Sequence, residues 1–311
     1  MNRRNFLKGV SSGLVLGGAG LVWPRMPLAV PVSMGPAELP AGTLEASLLE
    51  ALPGKKPLIK KTFRPPNYET PVAYFNDLYT PNDAFFVRYH VVNIPEVAAQ
   101  PWKLKLGGEA LQTPVELSLD DLTRSFERVE LSAVCMCAGN RRGLFQPHVP
   151  GVQWGNGAMG NARWVGVRLR DVLNKAGVRK DAVEVVFDGA DSGIAAYKTP
   201  DFVKSLPMWK ALDENTLIAF EMNGAPLPHW NGFPARLVVP GWAATYWVKQ
   251  LTSIDVIAKP FEGFWMKPAY RIPIGKFPNV DRFITQETAV NTPITDMVVN
   301  SLITNIEEGQ R

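Results

Sequence analysis

Cys137 opens the run Cys137-Ala138-Gly139-Asn140-Arg141-Arg142, which follows an apolar stretch at 129–134 that reads as a strand. A soft sulfur donor at a strand end, with two guanidinium groups close behind it, sets a metal ligand beside an anion trap. Nearby cations also favour the thiolate over the thiol. A buried structural cysteine is the bland alternative. The adjacent arginines argue against it, because paired cations are rarely buried without an anion to meet.

Other cations sit in similarly apolar settings. Arg88 and His90 lie two apart in Phe85-Phe86-Val87-Arg88-Tyr89-His90, so on a strand they share a face. Arg88 offers a planar fork for an oxyanion, and His90 offers a hydrogen bond to a cofactor. Arg163 precedes Trp164, Arg236 follows Phe233-Pro234-Ala235, and Lys249 ends Trp247-Val248-Lys249. Such cations suit a buried phosphate, with surface snorkelling as the competing reading for each. Tyr197, after Asp191-Ser192-Gly193, could present a phenol to an anion.

Several chemistries find no support. Two cysteines, Cys135 and Cys137, exclude a disulfide framework, and neither a Cys-x-x-Cys-His haem attachment nor a zinc-type quartet is present. There is no Gly-x-Gly-x-x-Gly after a strand and no Gly-x-Ser-x-Gly elbow.

The elements that must carry these residues are short. Residues 31–75 are turn-rich and read as a wrapping arm. Strands are expected at 84–92, 102–106, 183–187, 217–222 and 235–239, with 246–256 a strand or mixed segment. Helices are expected after Ser118 and where the stretch 165–173 leads into one, the latter ended by Gly177. Asn223-Gly224 turns one strand back. This mixture indicates an α+β fold. Residues 292–304 read as a linker entering a new strand near the end of the sequence.

The 311 residues are 46% hydrophobic, enough for a globular core. The basic balance is concentrated at the start. Residues 1–30 hold Arg3, Arg4, Lys8 and Arg25 and no acid, and the remainder has 29 basic against 29 acidic residues. Nucleic acid is therefore not indicated as a partner. Twin arginines before a glycine-rich apolar stretch too weak for a stable membrane span read as an export signal for a folded, cofactor-loaded protein. The periplasm is the expected location.

With these motifs in hand, the chain resembles the sulfite oxidase family of molybdenum enzymes, nearest to its bacterial sulfite dehydrogenase branch. The matching segments are 85–90, 137–142, 161–164, 221–228, 232–241, 246–249 and 297–309, in the family's order. The resemblance implies a catalytic molybdopterin domain over 31–275, after an export signal over 1–30. It implies molybdenum held by a pterin dithiolene and the Cys137 sulfur. Arg88, Arg142 and Tyr197 would line the substrate pocket. His90, Arg163, Asn231, Arg236 and Lys249 would hold the pterin, with Asn231 standing where many relatives have His. The implied reaction is oxidation of sulfite to sulfate by oxo transfer, with electrons passed singly to a c-type cytochrome. Reduction of an S- or N-oxide on the same centre, or an inactive truncated pterin-binding protein, stand as alternatives. The family's C-terminal immunoglobulin-like β domain is expected only as a linker and first strand over 276–311, which leaves the family's dimer in question.

Overall fold

The strand Arg128–Met136 ends one residue before Cys137 and pairs antiparallel, over its whole length, with Met159–Arg168. The computed structural model describes residues 30–31, 49–275 and 281–305. The twin arginines and the rest of the expected export signal up to residue 29 lie outside the described residues. In the first part of the second hairpin strand Gly160, Ala162 and Trp164 are buried while Met159, Asn161 and Arg163 are not, which is the alternation a pleated strand imposes. Leu217–Met222 adds to Met159–Arg168 and carries Ala225–Pro226 and Arg236–Val238 at its other edge. The expected turn at Asn223-Gly224 has positive φ at both residues, as a two-residue hairpin requires.

A second five-stranded sheet runs in the order Lys204–Pro207, Glu184–Gly189, Leu251–Ile257, Lys103–Gly107, Val115–Ser118. One pairing, Leu251–Ile257 with Lys103–Gly107, is parallel, and the others are antiparallel. The helix Leu119–Ser125 starts on a capping box in which Ser118 and Asp121 exchange hydrogen bonds. The helix Leu169–Ala176 stops at Gly177, whose φ of 81° closes it. The two sheets and these helices share one core, built around Trp154, Trp164, Trp242 and Trp247.

The segment read as a wrapping arm is more regular than expected. Leu49–Ala51, Pro57–Thr62 and Asn67–Glu69 form strands that join Val87–Arg88 in an N-terminal sheet. Runs this short, broken by Pro and turns, carry no readable period. Near the C-terminus Asn291–Pro293 pairs with Arg271–Pro273, and 298–305 form no strand. Mixed sheets with few short helices make an α+β fold. Among the described residues no helix is long and apolar enough to cross a membrane.

Candidate active site

A narrow cavity opens between the N-terminal sheet and the sheet of the hairpin, with Cys137 in its wall. Cys137 is buried. Its backbone N–H donates to Ala158 at 2.9 Å, and the Gly139 N–H points at its sulfur at 3.4 Å. The loop behind it is tied back, since Asn140 Oδ1 accepts the Ala158 N–H at 3.0 Å. Arg141 takes a left-handed φ of 69° and turns away to bond Asn156 and the Ser301 carbonyl, so it braces the loop. Cys135, two residues earlier on the same face, is also buried, and burial pushes its thiol up in pKa.

Arg88 is held by Asn67 Oδ1 at 3.1 Å and by the Tyr89 carbonyl, leaving its Nε without a partner among the described residues. His90 stacks on Phe202 at 3.7 Å between centroids and is hydrogen-bonded through Nε2 to the Tyr270 hydroxyl. Burial, reinforced by Arg88, Lys249 and Lys204, holds its pKa well below the usual imidazole value, so the ring is neutral.

Arg236 is buried beneath this wall. It donates to the Asn231 and Trp247 carbonyls at 2.9 and 3.0 Å and lies over the Trp164 and Trp247 rings. Lys249 donates to the Arg88 carbonyl at 2.9 Å and sits over the Tyr89 ring, and burial pulls its ammonium down to about 8. Among the described residues no carboxylate forms an ion pair with Arg88, Arg142, Arg236 or Lys249. The acid whose charge Lys249 feels most is Asp191, itself buried, with a carboxyl raised by that burial.

Asn231 lines the cavity, and its side chain is anchored at both atoms: Oδ1 accepts from Lys55 at 2.6 Å and Nδ2 donates to the Phe86 carbonyl at 3.2 Å. Arg142 packs flat between Gly139 and Gly151. A Cβ at either glycine would come within 2.7 and 2.6 Å of its guanidinium, so the loop uses glycine to let this side chain lie there.

Arg142 does not line the cavity, and its Nη1 donates to the Val152 carbonyl at 3.2 Å. Two further expected residues stand elsewhere. Arg163 does not reach the cavity. It falls between the inward-facing Ala162 and Trp164, so it points outward, approaches Glu130 at 3.6 Å and borders a separate polar depression with Asn82 and Asn223. Tyr197 is 79% exposed on a surface turn and does not line the cavity. The phenol in the wall belongs to Tyr270, joined by Phe202 and Thr245, whose hydroxyl has no partner among the described residues. None of these three carries a spacing signal. Asp191 did stand beside Tyr197 in the loop that drew attention.

Among the described residues no three of His, Cys, Asp and Glu cluster as a metal site.

The sequence pattern of the oxidoreductase molybdopterin-binding domain matches residues 91–265. The mitochondrial sulfite oxidase of Homo sapiens is 35% identical over 266 residues, covering 83% of this chain and 47% of its own. The sulfite oxidase of Arabidopsis thaliana is 34% identical over 272 residues, 83% of this chain and 67% of its own. In fold, the chain is similar to the sulfane dehydrogenase SoxCD of Paracoccus pantotrophus, with a TM-score of 0.64 and 29% identity over 78% of this chain and 58% of that one. The chain spans less than half the length of the animal mitochondrial sulfite oxidases it matches.

Proposed function

This chain belongs to the sulfite oxidase family of molybdopterin enzymes, and from that membership we propose that it oxidises sulfite to sulfate, with water as the source of the added oxygen and two electrons passed on to an external acceptor. The observation that carries the reading is the cavity wall itself: a buried thiol beside cations that have no carboxylate partner. Molybdenum with molybdopterin is the family's cofactor, and the wall fits it. A phosphate-bearing pterin needs buried cations and unspent donors, and Arg236, Lys249, Arg88 Nε and Thr245 Oγ1 supply them. When bound, the cofactor supplies the two-electron redox centre and the oxygen-atom transfer.

The chain's own residues then divide the work. Cys137 gives the single protein sulfur to the metal. Arg236 and Lys249 hold the anionic end of the pterin, where Trp164, Trp247 and Tyr89 exclude water and strengthen the charge contacts. Arg88 would bring positive charge to the side where a dianion sits and stabilise charge moving onto oxygen, with Arg142 adding to the field from behind the Cys137 loop. His90, kept neutral, accepts or donates one hydrogen bond without adding a further charge.

The acceptor we propose is a c-type cytochrome, reached after export through the twin-arginine route to the periplasm. The test is sulfite-dependent reduction of ferricyanide and of cytochrome c by protein recovered from the periplasm, with molybdenum measured in the same sample. Metal with sulfite turnover is expected. Metal without it would sink the oxidation reading in favour of oxide reduction. Reduction of ferricyanide alone would remove the cytochrome. Cys137→Ser should cost more than about 100-fold in turnover, beyond the loss seen when residues behind a metal ligand are changed. Turnover within tenfold of wild type would remove Cys137 as the ligand.

A further inference from the structure

Lys55 stands outside the cavity, behind two of its walls. It lies in the turn between the strands Leu49–Ala51 and Pro57–Thr62 of the N-terminal sheet, where Gly54 takes a φ of 73° and the Lys55 N–H closes the turn on the Leu52 carbonyl at 2.8 Å. Its side chain is buried, and its ammonium donates to the Asn82 carbonyl at 2.6 Å, to the Phe85 carbonyl at 3.0 Å and to Asn231 Oδ1 at 2.6 Å. An ammonium has three donors, and all of them are used. Among the described residues no carboxylate forms an ion pair with Lys55, and the nearby Asp83 pairs with Lys56 at 3.4 Å instead.

The oxygens it holds belong to both sides of the cavity. Phe85 and Phe86 line it just before the strand Val87–Arg88, and Trp230, Asn231 and Arg236 line it from the segment that follows Leu217–Met222. The Trp230 indole N–H fastens the same turn a second time, donating to the Pro53 carbonyl at 3.0 Å. A lysine donates and never accepts, and the Phe86 carbonyl accepts and never donates. The Asn231 amide therefore has one orientation open to it, with Oδ1 to Lys55 and Nδ2 to Phe86. The Asn231 backbone carbonyl in turn takes Arg236 Nη1 at 2.9 Å. Lys55 thus stands one residue behind the guanidinium at the cavity wall. An apolar chain would fill the turn at a lower desolvation cost, so the use of the ammonium is to hold these oxygens.

We propose that Lys55 is a positioning residue for the cofactor. It sets the Asn231 amide and, through Asn231, the Arg236 guanidinium, so that retention of the pterin depends on a turn of the N-terminal sheet that lies outside the cavity. The proposal rests on the molybdopterin reading for its effect on retention, and on geometry alone for its effect on Asn231.

The test compares Lys55→Met, Asn231→Leu and the double variant, each expressed with its cofactor, and uses Lys60→Met as the control. Lys60 pairs with Glu50 in the same sheet and does not line the cavity. The rate of pterin release after gel filtration reads retention. Lys55→Met should release pterin about tenfold faster than wild type, the scale on which partners behind a ligand act. The double variant should release it no faster than Asn231→Leu alone, because Lys55 acts through that amide. Lys60→Met should lower the unfolding temperature and leave release unchanged. Lys55→Gln provides a second variant should the first fail to fold, since it keeps a donor, and its release rate should fall between wild type and Asn231→Leu. Additive losses in the double variant, or an equal loss from Lys60→Met, would overturn the proposal. In cofactor-free protein the NMR signal of the Asn231 side-chain amide, identified by its absence in Asn231→Leu, should shift in both Lys55 variants, and an unshifted signal would overturn the proposal as well. A wild type that holds no pterin would count against the molybdopterin reading instead, and the Asn231 signal would still decide the role of Lys55.

Discussion

Glu184 and Arg236 are both buried charges, yet their surroundings differ in kind. Glu184 is saturated: Oε1 accepts from Thr285 at 2.6 Å and from Gln286 at 2.9 Å, and Oε2 accepts from Gln286 at 2.9 Å and from the Phe261 N–H at 3.2 Å. Glu69 is treated the same way, taking the Gly155 and Gly157 N–H groups and pairing with Lys61 at 3.1 Å. Arg236 and Lys249 meet backbone carbonyls and aromatic faces but no ion-pairing carboxylate. A buried charge without a counter-ion costs several kcal/mol; Glu184 offsets that cost with hydrogen bonds to both carboxylate oxygens, Arg236 with carbonyls and two aromatic faces, and Lys249 with one carbonyl and one ring. The acids hold sheet and loop together. On the proposed function, Arg236 and Lys249 would meet the anionic end of the pterin.

Exchanging the two kinds of charge for neutral side chains tests that division. Glu184→Ala should lose about 3 kcal/mol of folding stability, because it strands buried donors on Gln286, Thr285 and Phe261. Thermal unfolding would show this, while turnover per molybdenum stays near wild type. An unchanged unfolding temperature would mean that Glu184 is not structural. Arg236→Met should do the reverse. Made without cofactor, it should be as stable as wild type or about 1 kcal/mol more so, since a desolvated cation has been replaced by an apolar chain of similar volume. Made with cofactor, it should retain far less pterin, a loss of about 2 kcal/mol or more for a buried charge contact. The ratio of pterin to protein after gel filtration measures it. A cofactor-free variant that unfolds well below wild type would show Arg236 to be structural after all.

The same division explains what could be read before the fold was known. The cation-bearing wall was legible where chemistry and spacing coincide. Cys137 ends a strand, Arg88 and His90 are two apart, and Arg236 and Lys249 stand among apolar residues that do prove buried. Arg163 was misplaced although its neighbours held the answer, since Ala162 and Trp164 claim the inward face and a pleat sends the residue between them out. Tyr270 could not be found this way. Its contact with His90 joins the N-terminal sheet to a turn beyond the last strand of the second sheet, and no local period records a pairing at that distance. The short strands at 49–69 were lost for the opposite reason, being too brief for any period to show.

The smallest expected effect is also the one that reads both halves of the comparison at once. Burial pulls the Lys249 ammonium from 10.5 to about 8. In the cofactor-free protein the unfolded chain therefore binds the extra proton between about pH 8 and 10.5, and stability should rise with pH across that window. An anion beside Lys249 prefers the ammonium, so pterin affinity should be full below about pH 8 and weaken above it, by at most about tenfold per pH unit. The two readouts move in opposite directions because one removes an unpaired buried charge and the other needs it. Lys55 and Lys204, drawn down to about 7, add stability of the same sign, so the contrast must be taken against Lys249→Arg, which keeps its charge throughout. That variant should lose the Lys249 share of the stability slope and the fall in pterin retention together. If retention in wild type is flat from pH 7 to 10 while stability climbs, Lys249 is buried for packing, and the anion is held by Arg236 and Arg88 without it.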